Sequence, residues 1–129
     1  LENNDDMNKA SVLIIENDSH LADIYSEKLS SEGFAVTAVK DGVLGLKAAR
    51  KMPPDILVLD LLLPRKSGVE ILKEFKQDRG LAKIPAIVVS NVSEKQTIDE
   101  CFRLGAADFI IKKHINLSEL VAMIRKALQ

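Results

Sequence analysis

The sequence is poor in residues that staple or anchor a chain: one cysteine, one tyrosine and no tryptophan among 129 residues. Cys101 alone cannot form an internal disulfide, and a chain without disulfides is expected in a reducing compartment, the cytoplasm. Neither sign of charge is in excess, since 18 Lys and Arg face 19 Asp and Glu for a formal net charge of −1. Binding to nucleic acid draws on clustered Lys and Arg at the phosphates, so no direct nucleic-acid partner is expected. No apolar run approaches the roughly 20 residues that span a bilayer. The longest, Ile56–Leu63, is interrupted by Asp60, so no membrane partner is expected. The first residues are polar and acidic, unlike a signal peptide. Residues 1–9 are expected to be a leader, flexible or left from cloning, and residues 10–129 to be one domain.

What is present is a globular composition, 47% apolar and 29% charged. Five short runs rich in β-branched residues recur: Val12–Ile15, Ala35–Val39, Ile56–Leu59, Ala86–Val89 and Phe109–Ile111. Each is apolar at successive positions, as in strands buried on both faces. Between them the apolar residues take helical spacing, as in Leu21, Ile24, Tyr25 and Leu29, or Leu117, Leu120, Val121, Ile124 and Leu128. Ser67 with Glu70, Ser93 with Gln96, and Asn116 with Glu119 have capping-box spacing. Gly33, Gly80 and Gly105 stand where helices should end, Pro53–Pro54 stops another, and Asp41–Gly42 opens a turn. Strands alternating with helices predict an α/β fold, a doubly wound five-stranded parallel sheet with five helices on two faces. The expected strand order is 2-1-3-4-5, the flavodoxin-like arrangement.

In such a sheet the carboxyl ends of all strands share one edge, and ligands bind there beside the switch point in strand order. The first strand runs into Glu16-Asn17-Asp18, the third ends on Asp60, the fourth on Ser90 and the fifth on Lys112. Taken singly, each has a plain structural use. Glu16 and Asp18 suit a helix N-terminus, Lys112 a surface position and Ser90 a turn. Asp60 is different: a carboxylate between Ile-Leu-Val-Leu and Leu-Leu-Leu needs charged company. Together these residues form an acidic crevice with a hydroxyl and an ammonium. A carboxylate there can take a phosphoryl group. Hard oxygen ligands such as Glu16 and Asp60 suit Mg²⁺, and donors such as Lys112 and Ser90 stabilise charge on phosphoryl oxygens.

The run Val12-Leu13-Ile14-Ile15-Glu16-Asn17-Asp18, the stretch Pro54-Asp55-Ile56-Leu57-Val58-Leu59-Asp60 with Pro64 and Gly68 beyond it, Ser90, and Gly105-Ala106-Ala107-Asp108-Phe109-Ile110-Ile111-Lys112 resemble, in order and spacing, the receiver domains of response regulators. The resemblance implies that Asp60 is the phosphoacceptor and Glu16 the first of an acidic pair. It makes Lys112 the lysine on the phosphoryl group, Ser90 the switch hydroxyl and Phe109 the aromatic switch. Mg²⁺ would be held by Glu16, Asn17, Asp60 and the backbone carbonyl of Leu62. The donor would be a phosphohistidine of a histidine kinase or histidine phosphotransfer protein. The face of helix 4, strand 5 and helix 5 would serve a homodimer or effector contact. The domain would assist its own phosphorylation and slow dephosphorylation without being a conventional enzyme.

Two departures stand out. Asn17 replaces the family's second acid, which predicts weaker Mg²⁺ binding. Lys113 replaces a proline normally joined through a cis bond. A cis bond before another residue costs about 2.5–4 kcal/mol, so a rearranged loop is expected. Both departures favour the rival reading, a pseudo-receiver that binds protein without being phosphorylated. Leu62 and Val92, two positions beyond Asp60 and Ser90, are expected to flank the path of hydrolytic water. His20 and His114 lack metal-ligand spacing and read as surface residues, while Cys101 is expected to pack beside Ile98 and Phe102.

Overall fold

The computed structural model describes residues 8–129. Apart from Asn8 and Lys9, the expected leader therefore lies outside the described residues. The elements run β1 (Ser11–Ile15), α1 (Ser19–Ser31), β2 (Ala35–Val39), α2 (Gly42–Lys51), β3 (Ile56–Leu59), α3 (Gly68–Gln77), β4 (Ala86–Ser90), α4 (Lys95–Arg103), β5 (Ala106–Ile111), a 3₁₀ turn (Lys112–His114) and α5 (Leu117–Ala127). The strands pair in parallel in the order β2-β1-β3-β4-β5, as the alternation predicts.

Alternation along the strands explains the two layers of helices. Leu13, Ile15, Leu57, Leu59 and Val88 point to one face and pack with Leu46 and Ala49 of α2, Ile71, Leu72 and Phe75 of α3, and Cys101 of α4. Their neighbours Val12, Ile14, Ile56, Val58, Ile87 and Val89 point to the other, against Tyr25 and Leu29 of α1 and Leu120, Val121 and Ile124 of α5. Each fully buried aliphatic side chain contributes about 1.5–3 kcal/mol, which is why the three inner strands carry almost nothing polar. The edge strands are only partly buried: in β2 Thr37 and Ala38 are exposed, and in β5 Ala107 is exposed. A register shift opposite Ala86 and Ile87 leaves Ala107 without a partner, a bulge at a sheet edge.

Local signals hold in most places. Asp18, Asp41, Ser67 and Asn116 cap α1, α2, α3 and α5 through their side chains, with both halves of the capping box present at Ser67 and Glu70. The expected box at Ser93 and Gln96 is not formed: α4 starts at Lys95, and Glu94 at its N-cap makes no side-chain bond to the helix. Gly33 and Gly105 follow α1 and α4 in the left-handed region, as expected. Gly80 does not end a helix; α3 stops at Gln77, and the Gly80 amide donates to the Asp78 carboxylate in the turn beyond. Cys101 is buried, but Phe102 beside it is exposed and does not share its packing.

Candidate functional site

At the carboxyl edge, β1 and β3 are neighbours and β3 pairs with β4, so their last residues meet. Asp60 leaves β3 with its amide on the Ile15 carbonyl at 3.0 Å, and Glu16 leaves β1 with its amide on the Val39 carbonyl at 3.0 Å. Both carboxylates are turned inward: Asp60 is 5% exposed and Glu16 2%. Lys112, from the turn after β5, lies between them. Its Nζ is 2.7 Å from Asp60 Oδ2 and 2.8 Å from Glu16 Oε1. The other Glu16 oxygen accepts the Asp18 amide at 2.9 Å, and Asp60 Oδ1 accepts the Leu62 amide at 3.4 Å.

Burial sets the electrostatics. It raises the Glu16 carboxyl above its ordinary pKa, helped by the nearby Asp60 charge, and the bonds from Lys112 and the Asp18 amide only partly offset this. For Lys112 burial disfavours the charge, yet its hydrogen bonds to Asp60 and Glu16 outweigh burial and hold the ammonium above its ordinary pKa. One cation thus serves two buried anions, and removing it would strand both.

The backbone around Asp60 is fixed by contact. The Gly68 amide donates to the Leu61 carbonyl at 2.9 Å, and a Cβ at Gly68 would run into the backbone of Asp60 and Leu61. Arg65, at φ 68°, pairs with Asp41 Oδ2 at 2.9 Å, so the loop after β3 is tied to the cap of α2.

Ser90 is fully buried at the end of β4, and its Oγ accepts the Val92 amide at 3.3 Å. Phe109 is half-buried against the α2–α3–α4 side of the core. Asn17 is exposed, and Leu62 is 67% exposed. Val92 is half-buried against the core, whereas Leu62 stands mostly in water. His20 and His114 are exposed. The loop carrying Lys112 and Lys113 has no cis bond; it turns as 3₁₀ helix, and the Lys113 amide donates to Asn91 Oδ1 at 2.9 Å. A proline at 113 has no such hydrogen to give. Asn91 was not singled out from the sequence, where only its place beside Ser90 could have drawn notice.

The donor chemistry fits a hard divalent cation. Buried carboxylate oxygens of Glu16 and Asp60 already meet one cation at hydrogen-bond distance, the Lys112 ammonium. Among the described residues no group of three or more His, Cys, Asp or Glu side chains is gathered as ligands. Further ligands would have to come from neutral oxygens such as the Asn17 amide.

The model of the response regulator receiver domain family matches residues 12–125. The chain belongs to that family. Among curated relatives, the DNA-binding dual master transcriptional regulator RpaA of Synechocystis is 30% identical over 118 residues, 92% of this chain and 48% of the relative. The DNA-binding response regulator MtrA of Mycobacterium tuberculosis is 32% identical over 120 residues, 92% of this chain and 50% of the relative. The response regulator ArlR of Staphylococcus epidermidis is 35% identical over 120 residues, with 92% and 52% covered. The chain spans about half the length of these curated relatives. The fold matches the signal receiver domain of a signal transduction histidine kinase from Syntrophus aciditrophicus, with a TM-score of 0.84, 24% identity and coverage of 92% and 89%. It also matches the Francisella response regulator 1452 receiver domain, with a TM-score of 0.86, 22% identity and coverage of 93% and 97%.

As a receiver domain, the chain falls within two-component signalling. One expectation is overturned. The net charge of −1 led to no nucleic-acid partner, whereas relatives over this domain are named DNA-binding regulators. The charge of one domain reports only on that domain, and half of each relative lies beyond the match. Among the described residues, no helix is long and apolar enough to cross a membrane.

Proposed function

We propose that this receiver domain, residues 10–129, takes a phosphoryl group on Asp60 from a phosphohistidine donor and acts as a cytoplasmic switch. The observation that carries this reading is the buried Asp60 carboxylate held 2.7 Å from Lys112 Nζ, with Glu16 on the same ammonium. An Asp60 oxygen attacks phosphorus, an O–P bond forms as the P–N bond to the imidazole breaks, and the freed nitrogen takes up a proton. Lys112 supplies positive charge to the phosphoryl oxygens, and the buried Ser90 hydroxyl is a donor that turns toward them. Glu16, Asp60, the Asn17 amide oxygen and the Leu62 carbonyl would hold Mg²⁺, which when bound supplies charge that offsets acceptor and donor anions. Phe109 follows Ser90 as the aromatic part of the switch. With apolar Leu62 and Val92 along the path of attacking water, self-dephosphorylation is slow.

The test is intact mass after incubation with a small phosphodonor and Mg²⁺. Native protein should gain one phosphoryl group and Asp60→Asn none. An unlabelled native protein, or a labelled Asp60→Asn, would overturn the reading; the former outcome is that of the pseudo-receiver. Restoring the acid with Asn17→Asp should tighten Mg²⁺ binding several-fold in a metal titration, because a ligand charge is regained.

A further inference from the structure

Lys112 brings positive charge to two buried carboxylates, yet it stands outside the sheet. The ladder between β4 and β5 ends on the pair Ser90 and Ile111, and Asn91 and Lys112 are the next residues on the two chains. From there the chain passes into a single 3₁₀ turn, Lys112–His114, closed by the Ile115 amide on the Lys112 carbonyl at 3.2 Å. The first amides of such a turn have no partner inside it. A polar side chain at the N-cap often takes one of them, but the N-cap here is Ile111, which makes no side-chain bond. Asn91 does this from the neighbouring strand end, its Oδ1 accepting the Lys113 amide at 2.9 Å. Asn91 is itself held in place, because the next amide, that of Val92, donates to the Oγ of buried Ser90 at 3.3 Å.

The bond also answers the departure at position 113. A proline there would have no hydrogen to give; Lys113 has one, and Asn91 takes it. Both residues are exposed, so water could satisfy the amide too, and the bond adds little to stability. Water does not fix direction, however. Lys112 directly precedes the bonded amide, and its Nζ has to reach Asp60 at 2.7 Å and Glu16 at 2.8 Å. A small misplacement of a charge beside the reacting atoms is costly to rate. We propose that Asn91 is a positioning residue of the acceptor site: its side chain holds the turn that sets Lys112 on Asp60 and Glu16. The consequence for rate rests on the phosphotransfer proposed above; the hold on the ammonium does not. Because Asn91 follows Ser90, the ammonium and the switch hydroxyl are both referred to the end of β4.

Two measurements test this. The first is the rate of labelling by a small phosphodonor with Mg²⁺, for Asn91→Ala in native and Lys113→Pro backgrounds. Proline removes the donated hydrogen and bends the turn in its own way, so only the further effect of Asn91→Ala is read there. Asn91→Ala should slow labelling by about fivefold in the native background, the worth of one modest hydrogen bond, and should change nothing more beside proline. No slowing, or equal slowing in both backgrounds, overturns the proposal. The second measurement is the rate at which an acylating reagent modifies Lys112, resolved from the other lysines by peptide mass. Its ammonium is shielded in the native fold, with 13% of the side chain exposed. Asn91→Ala should raise that rate about fivefold and leave Lys51 and Lys95 unchanged. Should Lys113→Pro not fold, acylation decides: an unchanged rate at Lys112 overturns the role of Asn91. A native protein that takes no label, but whose Lys112 is freed by Asn91→Ala, overturns the phosphoacceptor reading and leaves the hold of Asn91 on Lys112 standing.

Discussion

Helices α3 and α4 cover the same face of the sheet, yet they are built to different standards. α3, beside Asp60, buries Gly68, Ile71, Leu72 and Phe75 and starts with a complete capping box. α4, beside Ser90, buries only Cys101, and Glu94 at its N-cap makes no side-chain bond to the helix. The adjoining loops differ in the same way. The loop after Asp60 is held by backbone contact at Gly68 and by the Arg65–Asp41 pair, whereas the loops after Ser90 and Lys112 share one exposed bond, Lys113 to Asn91. Regions that open easily have few buried contacts and uncapped ends. The Asp60 side is thus held by more contacts than the Ser90 side, and in the function proposed above that difference leaves the switching to the Ser90 side.

The largest expected effect lies on the fixed side. Gly68→Ala drives a methyl into the backbone of Asp60 and Leu61, and should cost about 3 kcal/mol or more in urea unfolding. A cost below about 1 kcal/mol would break the contrast. Next come the caps: Ser67→Ala should cost about 1 kcal/mol, while Glu94→Ser should gain up to about 1 kcal/mol by capping α4. The same gain should slow amide exchange in α4 and leave α3 unchanged. Smaller still is Asn91→Ala, about 0.5 kcal/mol for an exposed hydrogen bond, with amide shifts confined to the turn from Lys112 to His114. The last contrast is silent at neutral pH. Tyr25 ionises in the fold near pH 12 instead of its ordinary 10.0. Because the folded value is the higher one, its contribution is complete below pH 10 and is lost as the pH rises toward 12. Phenolate absorbance should report the displaced midpoint, and Tyr25→Phe should flatten that arm of the stability curve.

The sheet was legible because its inner strands are apolar at nearly every position, as in Ile56–Leu59, which is buried along its whole length. The cluster of Glu16, Asp60, Ser90 and Lys112 was legible because topology alone brings strand ends together. Ser93 was misread because capping-box spacing recurs by chance, and the helix began two residues later. Tyr25 was taken as one more apolar position at helical spacing, since the pattern sees its ring and not its oxygen. A single tyrosine among aliphatic residues facing the core was the available signal. The nucleic-acid expectation failed because the charge of this domain carries no information about the half of each relative that lies beyond the match.

Cys101 gives the loose side a chemical clock. It is the only thiol in the sequence, fully buried on the inner face of α4, and burial also pushes its pKa up. A thiol reagent therefore finds neither access nor thiolate until α4 lifts from the sheet. The rate of modification then counts those openings one molecule at a time, without any label placed in the protein beforehand.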